Sequence, residues 1–197
     1  MLIIITIGVA ILILLLAYLG FIKFIGATTL AGNENTYMFK DEFPVTKLEE
    51  IDYLLQGFLG PRPFNLHLRT DPREADKIPS EDDIRTKTLK STKVIYVTVD
   101  PDLTSDATIA AAEITKITGA PEIMNIPTFV ALTEKRREDI PKKTCEDNTE
   151  SERVILLKLA KETNIHSEDT CIIIEGTNEL ELIKASDKFI LQLLGIV

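Results

Sequence analysis

The sequence predicts an α/β protein: an N-terminal single transmembrane helix followed by one mixed-sheet α/β domain with helices on both faces. Three observations predict it. Residues 2–25 read LIIITIGVAILILLLAYLGFIKFI with one charge, Lys23, and about 20 apolar residues at a rise of 1.5 Å cross a hydrocarbon core about 30 Å thick. Residues 93–133 alternate strand, helix, strand, the pattern of a right-handed parallel crossover. The apolar run TCIIIE at 170–175 leads into an amphipathic stretch reaching about Leu194, a second strand followed by a helix.

The division expected is an anchor at 1–26, a linker at 27–36 and an extracytoplasmic α/β domain at 37–197. Inside a bilayer every backbone N–H and C=O must be paired within the segment, so the anchor is expected as a helix. No Lys or Arg precedes it, and its core exceeds the roughly 7–15 apolar residues of a signal peptide. Retention is therefore expected over cleavage near Leu30–Gly32. Tyr18 and Phe21 suit an interfacial aromatic belt. Ala17 and Gly20, three apart, admit close helix packing.

After the linker, Tyr37 to Phe39 reads as a short strand. Val45 to Phe58 reads as a helix, because Leu48, Ile51, Leu54, Leu55 and Phe58 recur at spacings of three and four. Gly60-Pro61 stops it. Phe64, Leu66 and Leu68 alternate with Asn65, His67 and Arg69, a strand with one buried face and His67 on the other. Thr70 to Pro79 is a loop. Ser80 is expected to cap a short helix ending near Leu89. Lys93 to Val99 is the strongest strand signal. A helix from Ala107 to Thr118 and a strand from Pro127 to Thr133 complete the crossover, with Gly119 as the helix stop. Glu134 to Glu152 is a charged loop. Arg153 to Leu159 reads either as the start of a helix reaching Glu162 or as a buried strand; Val154, Ile155 and the continuous apolar run favour the strand, which Thr163–Asp169 would turn back against Thr170–Glu175 as a hairpin. Asn178 caps the final helix, whose buried stripe is Leu180, Ile183, Phe189, Ile190 and Leu193, and Gly195 ends it.

Composition narrows the function classes. Residues 1–26 hold one lysine and no acid, which leaves 21 basic and 31 acidic side chains in the remainder, a net charge of −10. Such a domain repels phosphate backbones, so nucleic acid is excluded as a partner. The two cysteines, Cys145 and Cys171, read as one disulfide in an oxidising compartment. The alternative is two buried free thiols in a cytoplasmic domain. No C-x-x-C is present, and His67 and His166 are the only histidines, so no metal set built on Cys and His is expected. No cofactor is expected.

Chemistry, if any, belongs to DPDLTSD at residues 100–106, between a strand's carboxyl end and a helix start, where open α/β sheets bind ligands. Asp100, Asp102 and Asp106, with Thr104 and Ser105, are candidate oxygen ligands for Mg²⁺ or Ca²⁺. The same residues also suit helix capping and the macrodipole. Asp100-x-Asp102-x-Thr104 resembles the first motif of haloacid dehalogenase-type phosphotransferases. That resemblance implies Asp100 as nucleophile, Asp102 as acid/base and Thr133 as phosphate-binding hydroxyl. The sequence departs from the pattern after TCIII, where Glu175 and Glu179 replace the pair of acids. A second stretch, TSDATIAAAEITKITGAP at 104–121 with the closing CIIIEGTNELELIKASDKFILQLLGI, is similar to archaeal S-layer-type and cell-wall-binding surface modules. It implies a module that packs, binds or spaces, and it carries no functional residues over.

The function expected is a single-pass, membrane-anchored, extracytoplasmic structural or interaction protein of the cell envelope, with enzymatic activity left open. Its partners would be the membrane and other envelope proteins or copies of itself. The alternatives are an accessory subunit of a membrane complex and a membrane-tethered metal-dependent phosphotransferase or hydrolase centred on Asp100 and Asp102.

Overall fold

The computed structural model describes residues 35–197. Its first four strands are β1 (Thr36–Phe39), β2 (Phe43–Glu49), β3 (Asp52–Leu59) and β4 (Arg62–Leu68), an antiparallel meander in the order β1-β2-β3-β4. The helix expected over Val45–Phe58 is instead the β2–β3 hairpin. Two periodicities coexist in that stretch, and the period of two wins because it pairs across strands. Val45 lies opposite Leu55 and Leu55 opposite Leu66, and these three are at most 2% exposed. Leu48 and Ile51, which a helix would bury, are 47% and 63% exposed beside and in the hairpin's turn. Gly57 is required by the pairing: a Cβ there would lie 2.7 Å from the Phe64 ring on β4. Gly60 adopts φ +62 in the two-residue β3–β4 turn, where L side chains are strained.

Past β4 come two short helices, α1 (Pro72–Ala75) and α2 (Ile84–Leu89), and then β5 (Val94–Val99). Ser80 does not cap α2. It bridges Ile165 instead, and its hydroxyl donates to Gln192 Oε1 at 2.7 Å. The expected crossover is present: α3 (Ser105–Gly119) carries the chain from β5 to β6 (Thr128–Leu132), which run parallel. The remaining elements are β7 (Glu152–Leu159), β8 (Asn164–Glu168), β9 (Cys171–Gly176) and α4 (Glu179–Leu194). This second sheet has the order β6-β5-β7-β9-β8. The strand reading of β7 holds, but β7 pairs with β9 in parallel, not as a hairpin. Residues 164–168, expected as a turn, form the antiparallel edge strand.

The fold class expected from sequence is corrected on three points. Two sheets replace one. Among the described residues no helix is long and apolar enough to cross a membrane; the anchor expected at 1–26 and most of the linker lie outside the described residues. Helices do not cover both faces of the mixed sheet. Ile95, Val97, Ile155, Leu157, Ile172 and Ile174 share one core with α3, α4 and the inward side chains of the first sheet. The layers are therefore antiparallel sheet, helices, mixed sheet. Sandwiched between sheets, α4 buries nearly every residue from Leu182 to Leu191, whereas Leu180, in its first turn, is 69% exposed instead of joining the stripe.

The other face of the mixed sheet carries Ala131, Val154 and Ile173, buried outside that core. Among the described residues no α-helix covers it, because residues 134–151 hold a proline and many charges instead of an apolar stripe and form only a single 3-10 turn at Cys145–Asp147. The segment lies on the sheet through polar anchors. Thr98 Oγ1 donates to the Lys143 carbonyl at 2.8 Å, and Asn148 Oδ1 accepts from Val154 N at 2.9 Å. The Cys145–Cys171 disulfide fastens it to β9.

Gly176 ends β9 where α4 begins. A Cβ there would lie 2.4 Å from Leu182 N and 2.7 Å from Asn178 O, backbone atoms that cannot yield without moving the helix. Gly176→Ala is expected to lower stability by about 3 kcal/mol, read as the shift in chemical denaturation midpoint.

Candidate functional site

The loop after β5 is where chemistry was expected, and its side chains are occupied with one another. Asp100 Oδ1 accepts from Asp102 N at 2.9 Å, a local turn. The Asp102 carboxylate receives Arg136 Nη2 at 3.1 and 3.2 Å. Thr104, the N-cap of α3, accepts from Asp106 N, and Asp106 lies in the acidic first turn. Glu179, from the first turn of α4, completes the cap: Oε1 accepts from Thr104 N at 2.9 Å, and Oε2 accepts from the Thr104 hydroxyl and from Ala107 N. These hydrogen bonds, the Thr104 hydroxyl first, hold the Glu179 carboxyl below the usual carboxylate range.

The structure thus brings Asp100, Asp102, Thr104 and Glu179 to one helix start. Glu175 is elsewhere. It alternates out of the helix-facing row of Ile172 and Ile174 and pairs with Lys158 at 3.0 Å and Asn164 Nδ2 at 3.0 Å. Thr133 is tied to β5 through its backbone N–H, which donates to the Val99 carbonyl. Among the described residues no group of three or more His, Cys, Asp or Glu side chains is placed to hold a metal ion. What the arrangement does is cap α3 with a carboxylate from α4. Glu179→Ala is expected to cost about 1 kcal/mol, the value of a helix cap, with Glu179→Gln intermediate; thermal melting of the two variants checks it.

An exposed apolar surface feature lies beside the tip of the β2–β3 hairpin. There a cavity of about 320 Å³ opens between Ile51, Ile109 of α3, and Leu180 and Ile183 of α4, rimmed by Arg69, Asp106, Glu181 and Lys184. Ile51 and Leu180, 63% and 69% exposed, stand at its mouth. Helical spacing alone would bury both. The signal that identifies Ile51 is its setting, Glu49-Glu50-Ile51-Asp52: an aliphatic side chain among acids fits a turn better than a core.

Buried charge ties the first sheet to the helices beside this cavity. Asp187 of α4 is 1% exposed. Its Oδ2 accepts from Thr70 N at 2.8 Å, and its Oδ1 has no hydrogen-bond partner among the described residues. Burial, opposed by the Thr70 hydrogen bonds and assisted by the nearby Glu113, pushes its carboxyl up to about 8. Glu113 of α3 is held by Arg69 at 3.3 Å and Lys116 at 2.8 Å. Asp76 receives both Lys40, at 2.6 Å, and Lys188, at 2.7 Å. Tyr37 donates to Asp71 Oδ1 at 2.6 Å while the Arg73 guanidinium lies 3.8 Å from the Tyr37 ring centre. Desolvation and then the Asp71 hydrogen bond raise the Tyr37 hydroxyl far above its ordinary value. Burial alone would raise Asp71, but the hydrogen bonds from Arg73 and Tyr37 outweigh it and hold its carboxyl low.

Set against known proteins, the chain matches no family model, no curated protein and no solved structure.

Proposed function

We propose that this is an extracytoplasmic structural or interaction protein of the cell envelope, attached to a membrane through its apolar first 26 residues. The single observation that carries the reading is the Cys145–Cys171 disulfide, because such bonds persist in oxidising compartments and are rare in reducing ones. The net charge of −10 beyond residue 26 turns the domain away from nucleic acid. The cavity at the β2–β3 tip, lined by Ile51, Ile109, Leu180 and Ile183 together with charged side chains, offers a contact surface. Its partners in this reading are the membrane and other envelope proteins or further copies of the chain.

Trypsin added to intact cells tests the location. Lys135, Arg136 and Arg137 lie on an exposed loop. Cleavage there without lysis is expected. Cleavage only after lysis contradicts the reading.

A further inference from the structure

We propose that the β2–β3 tip and the start of α4 form a docking surface for a neutral lipid surface, with Ile51, Leu48 and Leu180 as the inserting side chains. This rests on the membrane-attached reading above and adds which end of the domain meets the lipid.

The path of the chain carries the argument. The Asn35 carbonyl accepts from Lys47 N at 2.8 Å, and the hairpin closes two residues further on, where Glu49 lies opposite Asp52. The chain therefore enters the domain at the same end as Ile51. Between the apolar stretch and Asn35 lie residues 27–34, whose fully extended reach is under about 30 Å. A stretch held in a bilayer keeps this end within that distance of the surface, so weak contacts there become effectively intramolecular.

The exposed aliphatic groups stand where such a surface would meet them. Leu48, Ile51 and Leu180 are 47%, 63% and 69% exposed, and Ile51 and Leu180 share one cavity mouth. The charges select the lipid. The tip carries Glu49, Glu50 and Asp52 against Lys47, and the cavity rim sets Asp106 and Glu181 against Arg69 and Lys184. The cavity's charges balance and the tip is net acidic, so the surface as a whole is repelled by anionic headgroups within a Debye length and tolerates zwitterionic ones.

The test uses the full chain reconstituted in phosphatidylcholine vesicles. An environment-sensitive thiol probe is placed at Ile51→Cys or, at the far end of β3, at Phe58→Cys, where the native side chain is 70% exposed. The expected result is protection of the Ile51 probe from aqueous iodide while the Phe58 probe stays open. Protection should weaken when phosphatidylglycerol replaces phosphatidylcholine and recover in high salt. With the probe at Leu48→Cys, Leu180→Asp should shift the docked-to-free ratio about tenfold toward free, the value of one aliphatic side chain. Equal quenching at Ile51 and Phe58 overturns the proposal. Protection in native membranes but not in pure lipid overturns it in favour of a protein partner. Carbonate extraction reports separately on the attachment reading: release of the chain counts against that reading, and the quenching comparison decides docking whichever way extraction falls.

Discussion

Replacing Cys145 and Cys171 together by serine is expected to lower stability by about 3–4 kcal/mol, the chain-entropy value for a loop of this length. The two residues are 26 apart, and the segment between them includes β7 and β8 and ends at the start of β9. Cys171 is 2% exposed at the start of β9, where its bond to Cys145 fastens the 134–151 segment as a strap over the sheet, so the loss should be specific in its location. Without the bond, residues 134–149 keep the hydrogen bonds from Thr98 and Val154, but Val154 and Ile173 come under a cover that opens more often. Hydrogen exchange should rise first in β7 and β9 near those residues, while β1 to β4, on the far side of the helices, change only with the global stability. A variant that unfolds at the wild-type denaturant midpoint would show that the strap is held by its polar contacts alone.

The second large effect belongs to Asp187. Its carboxyl titrates near 8 in the folded chain against an ordinary value of 3.8. A carboxyl raised in this way makes the folded state bind more protons than the unfolded state between the two values. Stability therefore falls as pH rises from about 4 to about 8 and is insensitive to this group above and below that window. Asp187→Asn keeps an oxygen for Thr70 N and cannot ionise. It should flatten that slope and exceed the wild type by about 2 kcal/mol at pH 8, less than the full linkage value because the buried amide leaves donors unpaired. At pH 4 the variant should show no advantage. Urea unfolding at the two pH values decides it, and a wild-type slope that persists in Asp187→Asn would assign the pH dependence to other groups.

Much of the second half was legible from sequence because local signals there agree with tertiary packing. The apolar run at 94–99, the Thr104 cap, the Asn178 cap and Gly195, at φ +73 as a left-handed stop, are short-range features. The first half was not, since Leu48, Ile51, Leu54 and Leu55 satisfy helical spacing by coincidence while Val45, Leu55 and Leu66 satisfy strand pairing across a turn. Only long-range contacts separate those two readings. The same holds for β8: Asn164–Glu168 is too polar to announce a strand, yet it gains a full ladder against β9. Of the candidate site, the helix start at Asp100–Asp106 was legible. Its partner Glu179 was named only as a stand-in for a catalytic acid, and that it caps α3 from 75 residues away is a matter of topology. The aliphatic cavity at the hairpin tip was hidden by the same misreading that made Ile51 a helix residue.

The most direct test of the central claim is thiol trapping in unbroken cells. Cells are quenched in acid, the protein is denatured and alkylated without reductant, and intact mass is measured before and after reduction. No alkylation is expected before reduction, and two added groups once the reduced protein is alkylated again. Two groups taken up without reductant would place the domain in a reducing compartment and contradict it.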